Sequence, residues 1–148
     1  DSSSSRGLGD VYKRQEGKHV VVIGKSQIVG LPLSLMLMNL GATVSVCDDK
    51  TINIKEITKA ADILFVACGC PNLVKSDWVK EGVIIVDIGI NKIEDPTVSK
   101  KYRIVGDVHF ESVKDKVSLI TPVPGGVGPM TIAMLMKQTL KAAEDAMV

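Results

Sequence analysis

The chain has few aromatic residues, little net charge and no long apolar run. Its 148 residues include one Trp, two Tyr and two Phe, and its net charge is +1. So few stacking surfaces and so little positive charge exclude the usual means of binding nucleic acid. The apolar runs at 63–68 and 83–86 are far shorter than the roughly 18 residues that a membrane-spanning helix needs. We therefore expect no nucleic-acid partner and no membrane partner.

Cysteine and histidine are also scarce. The three cysteines, Cys47, Cys68 and Cys70, are odd in number, and only His19 and His109 carry imidazoles. Because no Cys-x-x-Cys pair is present, the ligand spacing of a tetrahedral zinc site is missing. We predict no metal site, no structural disulfide, and reduced thiols in a cytoplasmic protein.

What remains is the composition of one globular domain. A length of 148 residues, with 45% apolar and 24% charged residues, is typical of such a domain. Residues 1–15 show no apolar periodicity and do not begin with Met, so we interpret them as a non-native or disordered leader. Residues 16–130 are predicted to form the main domain and residues 131–148 a C-terminal helix.

From Gly17 onward, short apolar runs alternate with amphipathic stretches, as strands alternate with helices. The apolar run 83–88 indicates burial on both faces. We predict an α/β fold, a Rossmann-like doubly wound and mainly parallel sheet with flanking helices, which binds ligands beyond the carboxyl ends of its strands. The predicted strands are 19–23, 43–47, 63–67, 83–88 and two weaker ones near 102–105 and 118–120. The predicted helical segments are 31–40, a short helix capped by Asn53 and running through Ala60, a turn capped by Ser76, and a long helix from about Met130.

The last predicted helix carries an apolar stripe. Its residues recur at helical spacing. They are Ile132, Leu135, Met136, Thr139, Leu140, Ala143 and Met147. A free surface rarely exposes so large an apolar face, so we expect this stripe to need a partner.

The loop after the first strand reads Gly24-Lys25-Ser26-Gln27-Ile28-Val29-Gly30. Gly24 would permit a tight turn, and Gly30 would let the next helix pack closely while its N-terminal amides face a pyrophosphate. Ser26 stands where the dinucleotide fingerprint has its second glycine. A glycine-rich turn that binds no ligand is the alternative interpretation.

Acidic residues and glycines follow the next strands. Asp48 lies 24 positions after Gly24 (48 − 24), close to where dinucleotide folds place the acid that bonds the adenosine ribose, and Asp49 follows it. Gly69 and the run Gly89-Ile90-Asn91 end two later strands, where a glycine lets the backbone approach a flat cofactor. A solvated acidic turn and ordinary turn glycines are the alternatives.

The run Thr121-Pro122-Val123-Pro124-Gly125-Gly126-Val127-Gly128-Pro129-Met130-Thr131 is the most elaborate loop. Its prolines stiffen the chain, its glycines expose main-chain amides, and Pro129 can begin the last helix. This composition predicts a loop that faces a ligand at a helix N-terminus.

Residues 17–147 resemble the cofactor-binding half of the bifunctional methylenetetrahydrofolate dehydrogenase/methenyltetrahydrofolate cyclohydrolase family. The matching motifs, in the family's order, are Gly-Lys-His-Val-Val-Val-Ile-Gly-Lys-Ser-Gln-Ile-Val-Gly-Leu-Pro, Val-Asp-Ile-Gly-Ile-Asn, Val-Gly-Asp-Val and Pro-Val-Pro-Gly-Gly-Val-Gly-Pro-Met-Thr. The resemblance implies oxidation of 5,10-methylenetetrahydrofolate with NADP or NAD, followed by hydrolysis to 10-formyltetrahydrofolate for one-carbon metabolism and purine biosynthesis. The family carries its folate pocket and catalytic Tyr and Lys in a preceding domain without a counterpart here. We therefore assign no catalytic residue and expect the chain alone to be inactive.

The resemblance also implies roles for particular residues and partners. Gly24, Lys25 and Ser26 would hold the cofactor phosphates, Ile90 would lie at the nicotinamide, and Thr131 would lie beside the cofactor. Tetrahydrofolate would reach the site through the missing N-terminal domain, against which the last helix would pack, and the full-length protein would be a homodimer. The remaining cofactor-binding residues are Ile28, Gly30, Asp48, Asp49, Gly69, Gly89 and Asn91, and the folate side is lined by Pro124, Gly125 and Gly126.

Two departures from the family bear on the cofactor. Lys25 stands where the family commonly has Arg, and Asp48-Asp49 stands where it often has His-Ser. The family residues favour the 2′-phosphate of NADP, whereas a carboxylate repels that phosphate and accepts a hydrogen bond from an unphosphorylated ribose. The acidic pair therefore favours NAD over the family default, NADP. A non-catalytic dinucleotide-binding module and another Rossmann oxidoreductase are the alternative functions.

Overall fold

A computed structural model describes residues 16–146. Within them, the main sheet consists of parallel strands β1 (His19–Ile23), β2 (Thr43–Cys47), β3 (Ile63–Val66), β4 (Ile84–Asp87) and β7 (Leu119–Ile120), in the order β2-β1-β3-β4-β7. Strands β5 (Asn91–Glu94) and β6 (Tyr102–Val105) form a separate antiparallel pair. The helices are α1 (Gly30–Asn39), α2 (Ile54–Lys59), α3 (Phe110–Val113) and α4 (Val127–Ala146), and a 3-10 turn spans Ser76–Trp78. The Rossmann-like α/β fold predicted from the sequence is confirmed.

The central strand β1 is buried on both faces of the sheet. Val20 and Val22 contribute to one apolar cluster and Val21 and Ile23 to another, because side chains alternate across a strand. All four are at most 1% exposed. Leu37 of α1 packs in the first of these clusters, so α1 covers one face of the sheet.

Helix α1 is bounded by the residues that the sequence pattern indicated. Pro32 lies in its first turn, where the missing amide proton costs no helical hydrogen bond. Gly41 follows its end with a φ of 81°, a conformation that favours glycine. The observed helix begins and ends one residue before the predicted range 31–40.

Both predicted side-chain caps are wrong. Asn53 does precede α2, but its φ of 55° is left-handed and its side chain makes no capping hydrogen bond. A capping side chain needs an extended backbone to reach the first free amides of the helix. Ser76 lies inside the 3-10 turn, and Lys75 occupies the cap position without a side-chain cap.

The region after β4 differs most from the prediction. The strand at Tyr102–Val105 is present, but its partner β5 was not predicted. The short helix α3 was also missed. The last helix begins at Val127 rather than near Met130, because Pro129 is tolerated within a first helical turn.

Helix α4 has no buried residue along the part that the structure describes. The exposed fractions of Ile132, Leu135, Met136 and Leu140 lie between 62% and 70%. The predicted apolar stripe is therefore open, although its last member, Met147, and the predicted leader 1–15 fall outside the described residues. No helix within residues 16–146 combines the length and apolar character needed to cross a bilayer.

Candidate functional site

A cavity of about 620 Å³ lies at the carboxyl ends of β1, β2 and β3, and we call it the first cavity. Parallel strands bring these ends to one edge of the sheet, which is where such folds bind ligands. Five residues predicted from the sequence line it together: Gly24, Lys25, Ser26, Asp48 and Asp49.

Close backbone packing shapes the loop between β1 and α1. Gly24 has a φ of 105°, and a Cβ atom there would lie 2.2 Å from the carbonyl oxygen of Ala67. A Cβ atom on Gly30 would lie 1.7 Å from the carbonyl oxygen of Gly24. The Leu31 amide donates to the carbonyl oxygen of Ser26 at 3.0 Å. This packing holds the first turn of α1 directly behind the loop of the first cavity, the arrangement in which helix amides bind phosphate.

An ion pair joins Lys25 to Asp48 in the first cavity. The Asp48 carboxylate also accepts hydrogen bonds from the amide of Lys50 at 3.0 Å and from the hydroxyl of Thr51 at 3.1 Å. The hydrogen bond between Lys25 and Asp48 lowers the pKa of the Asp48 carboxyl and raises the pKa of the Lys25 amine. Both groups are therefore charged at neutral pH. A carboxylate accepts about four hydrogen bonds, so Asp48 has room for one ribose hydroxyl. Asp49 adds a second, exposed carboxylate to the same cavity.

Two cysteines lie at the end of β3 and line the first cavity. Cys70 is exposed, and Cys68 is half-buried. Burial raises the pKa of the Cys68 thiol to about 12, with the Asp107 carboxylate contributing. A thiol that stays protonated is a poor nucleophile, so Cys68 forms a wall of the cavity and not a reactive group. Residues 16–146 contain no group of His, Cys, Asp and Glu side chains that could hold a metal ion.

A second cavity, of about 180 Å³, lies between the end of β4 and the loop before α4. Its walls are mostly glycine, proline and aliphatic residues, which suit a flat, weakly polar ring. Five further predicted residues line this second cavity: Gly89, Ile90, Pro124, Gly125 and Gly126.

Hydrogen bonds and glycines fix the loop over the second cavity. The hydroxyl oxygen of Thr121 accepts the amide proton of Asp87 at 2.8 Å, which ties the loop to β4. A Cβ atom on Gly126 would lie 2.3 Å from the carbonyl oxygen of Pro122, so the chain folds back on itself there. The loop is thus held in one shape by local contacts.

The described structure does not bring every predicted residue to a cavity wall. Ile28 is 87% exposed, and the Thr131 hydroxyl donates to the carbonyl oxygen of Val127 at 3.2 Å. Gly30 acts through packing behind the loop. Their predicted contacts with a cofactor stay predictions. The predicted residues that line neither of these two cavities are Ile28, Gly30, Gly69, Asn91 and Thr131.

Two buried aspartates were missed as candidate site residues. Asp87 is 3% exposed and Asp107 is 0% exposed. Both lie in motifs that carried the family resemblance, and Asp87 is a lone charged residue at the end of a buried apolar strand. That position was a usable signal, because a carboxylate is rarely buried without a specific set of hydrogen-bond donors.

One protein-family model matches nearly the whole chain. The model of the tetrahydrofolate dehydrogenase/cyclohydrolase NAD(P)-binding domain matches residues 7–147. The chain belongs to this family. The match extends into residues 1–15, whose interpretation as a leader stays a prediction.

Relatives of high identity in the dehydrogenase/cyclohydrolase family include bacterial and yeast proteins. The chain is 58% identical to the bifunctional protein FolD of Campylobacter jejuni over 130 residues, which cover 88% of this chain and 44% of that protein. It is 50% identical over 141 residues to the mitochondrial C-1-tetrahydrofolate synthase of Saccharomyces cerevisiae, covering 95% of this chain and 14% of the relative. The chain therefore spans less than half the length of these relatives.

Solved structures of the dehydrogenase/cyclohydrolase family share the fold. The crystal structure of FolD from Campylobacter jejuni aligns with a TM-score of 0.82 at 54% identity, over 93% of this chain and 47% of that one. The Trypanosoma brucei enzyme, complexed with NADP cofactor and inhibitor, aligns with a TM-score of 0.85 at 39% identity, over 94% of this chain and 49% of that one.

Proposed function

We propose that the chain is the cofactor-binding half of an enzyme that oxidises 5,10-methylenetetrahydrofolate with NAD(P) and hydrolyses the product to 10-formyltetrahydrofolate. The observation that carries this proposal is the pair of cavities at one sheet edge, each lined by five residues predicted from the sequence. The first cavity suits the adenosine and phosphates of a dinucleotide. The second suits the nicotinamide and the folate substrate beside it.

The residues present fit a dinucleotide. The close backbone packing at Gly24 and Gly30 holds the first turn of α1 behind the loop, where its amides can face a diphosphate. Lys25 lines the same cavity and pairs with Asp48. Asp48 can accept a hydrogen bond from a ribose hydroxyl. The aliphatic and proline side chains around Ile90 offer an apolar surface against which the nicotinamide ring can pack. When bound, the cofactor supplies the acceptor for the hydride that leaves the folate-bound carbon.

The whole enzyme requires groups beyond those described. Tetrahydrofolate would be bound through an N-terminal domain that packs on α4, and the full-length protein would be a homodimer. Relatives include mitochondrial, cytoplasmic and chloroplastic proteins, so a cytoplasmic location stays a prediction. A non-catalytic dinucleotide module is less well supported, because a sensor would have no use for the second cavity and its elaborate loop.

The 148-residue chain alone is expected to bind dinucleotide and to turn over no 5,10-methylenetetrahydrofolate. Catalysis depends on holding the folate carbon against the nicotinamide, and the residues assigned to that task belong to the other domain. The absorbance of reduced nicotinamide would measure turnover. A full-length FolD relative serves as the positive control in the same assay. Turnover by the chain alone would show that catalytic groups lie within it.

We further propose a preference for NAD over NADP. Asp48 is paired with Lys25, whereas the exposed Asp49 carboxylate, directly after β2, lines the same cavity and forms no ion pair among the described residues. Titration calorimetry should show NAD binding about tenfold tighter than NADP. The reason is that the repulsion between the carboxylate and the 2′-phosphate, a few ångströms apart, is large enough to lower affinity by that factor. Asp49→Ser should remove most of this discrimination.

Asp115→Ser removes an exposed carboxylate that lies outside the first cavity and serves as the matched control. It should leave the NAD to NADP ratio unchanged. An NADP preference that persists unchanged in Asp49→Ser would contradict the proposed selectivity. Failure of the parent chain to bind either dinucleotide would contradict the proposed function itself.

A further inference from the structure

The buried carboxylates Asp87 and Asp107 lie between the two cavities, and the proposed function has not used them. They interlock with two glycines. A Cβ atom on Gly89 would lie 2.2 Å from the carboxyl carbon of Asp107, and one on Gly106 would lie 1.9 Å from a carboxylate oxygen of Asp87. Each side chain therefore fills the space that a glycine leaves open on the other segment.

Asp87 holds its own surroundings together. Its Oδ1 accepts the amides of Gly89 and Asp107, each at 3.0 Å, and its Oδ2 accepts the amide of Val108 at 2.9 Å. Burial raises the pKa of Asp87, while these amides oppose that shift. Asp87 thus joins the end of β4 to the segment that follows β6.

Asp107 connects two segments that reach different cavities. Its Oδ2 accepts the amides of Cys68 at 2.7 Å and Gly69 at 2.9 Å, on the side of the first cavity. Its Oδ1 accepts the side-chain amide of Asn91 at 2.7 Å. Asn91 directly follows Gly89 and Ile90, which line the second cavity. One fully buried carboxylate therefore receives hydrogen bonds from both sides of the site.

We propose that Asp107 is a positioning residue that couples the first cavity to the second through its hydrogen bond with Asn91. This inference rests on the proposed dinucleotide function. A buried carboxylate only accepts hydrogen bonds and is costly to leave without donors. Movement of the Gly89-Ile90-Asn91 segment therefore requires Asp107 to shift, and the Cys68 and Gly69 amides shift with it. The two ends of a bound dinucleotide are consequently held at a fixed separation.

The test is to change Asn91, which follows the residues of the second cavity, and to measure ligand binding in the first cavity. The probe is 5′-AMP, which carries the adenosine and one phosphate of a dinucleotide and lacks the nicotinamide. It is titrated calorimetrically into the full chain. Asn91→Asp places a carboxylate against Asp107 and should weaken 5′-AMP binding by at least about fivefold. Asn91→Ala removes a single donor and should weaken it by about twofold to threefold.

A double substitution provides the rescue. In Asn91→Asp/Asp107→Asn, the amide oxygen at position 107 can still accept the Cys68 and Gly69 amides, while its nitrogen donates to the new carboxylate. This exchange keeps the net charge and every donor–acceptor pair, so 5′-AMP affinity should return to within about twofold of the parent. Asn39→Asp, on an exposed site at the end of α1, is the matched charge control and should bind like the parent.

The outcomes separate the two proposals. If the parent binds neither 5′-AMP nor NAD, the dinucleotide function is wrong. If it binds both but Asn91→Ala and Asn91→Asp leave 5′-AMP affinity unchanged, only the coupling is wrong. A folded double variant that does not recover also overturns the coupling. If Asn91→Asp fails to fold, Asn91→Ala and the double variant decide the question.

Discussion

Gly30→Ala is expected to cost the domain about 3 kcal/mol or more of folding free energy and to abolish measurable dinucleotide binding. The new Cβ atom would lie 1.7 Å from the carbonyl oxygen of Gly24 and 2.7 Å from its carbonyl carbon. Both atoms belong to the backbone, so no side-chain rotation can relieve the clash. Either α1 moves away from the loop or the loop loses the shape that lines the first cavity.

Denaturant unfolding and calorimetric titration with NAD would measure the two effects of Gly30→Ala. Gly128→Ala is the matched control, because it lies in the first turn of α4 and its Cβ would meet only the end of the Ile90 side chain at 3.9 Å. The control should change stability by less than about 1 kcal/mol, since alanine is favoured over glycine in a helix by that order. Equal stability of the two variants would show that the Gly24–Gly30 contact does not constrain the fold.

The first cavity could be predicted from the sequence because its determinants are local. A strand, a glycine-containing turn and a helix follow one another between Val20 and Leu40, and their order fixes where the loop points. Asp48 could be placed by the same reasoning, since it directly follows the second strand. The Lys25 to Asp48 ion pair depends on how two loops meet, which the order of the elements does not fix.

The network between the cavities could not be predicted in the same way. Asp107 and its partner Asn91 are 16 positions apart and meet only because the β5–β6 pair folds back. Strand β5 itself, Asn-Lys-Ile-Glu, has the polar composition of a loop and a weak strand signal. From the sequence, Gly89 was interpreted as a position where the backbone approaches the cofactor. In the structure, the Asp107 carboxyl group occupies the space that a Cβ atom at position 89 would need.

The second large effect is expected in the hydrogen exchange of helix α4. In dilute solution, the amides of α4 should exchange rapidly with solvent, because no residue of this helix is buried against the domain. Ile132, Leu135 and Met136 are between 64% and 70% exposed. Burying each such side chain contributes about 1.5 to 3 kcal/mol. Protection of α4 should therefore rise with protein concentration as chains associate through this face.

Met136→Glu tests this account, because it places a charge within the apolar stripe. The variant should stay monomeric in sedimentation experiments at concentrations where the parent associates, and its α4 should stay unprotected. Gln138→Glu adds the same charge on the polar side of the helix, near Lys137 and Lys141, and should associate like the parent. Association that survives Met136→Glu would place the contact elsewhere on the domain.

Hydrogen exchange also distinguishes the opposite possibility, that α4 docks on its own sheet. Phe65, Ile84 and Val86 are only half-buried and share one face, because residues two apart on a strand point the same way. That face has apolar surface for a helix to cover. Strong protection of residues 132–140 in a proven monomer would mean that α4 folds back onto it. The helix would then need no second domain, and the proposed docking of an N-terminal domain on the α4 stripe would be wrong.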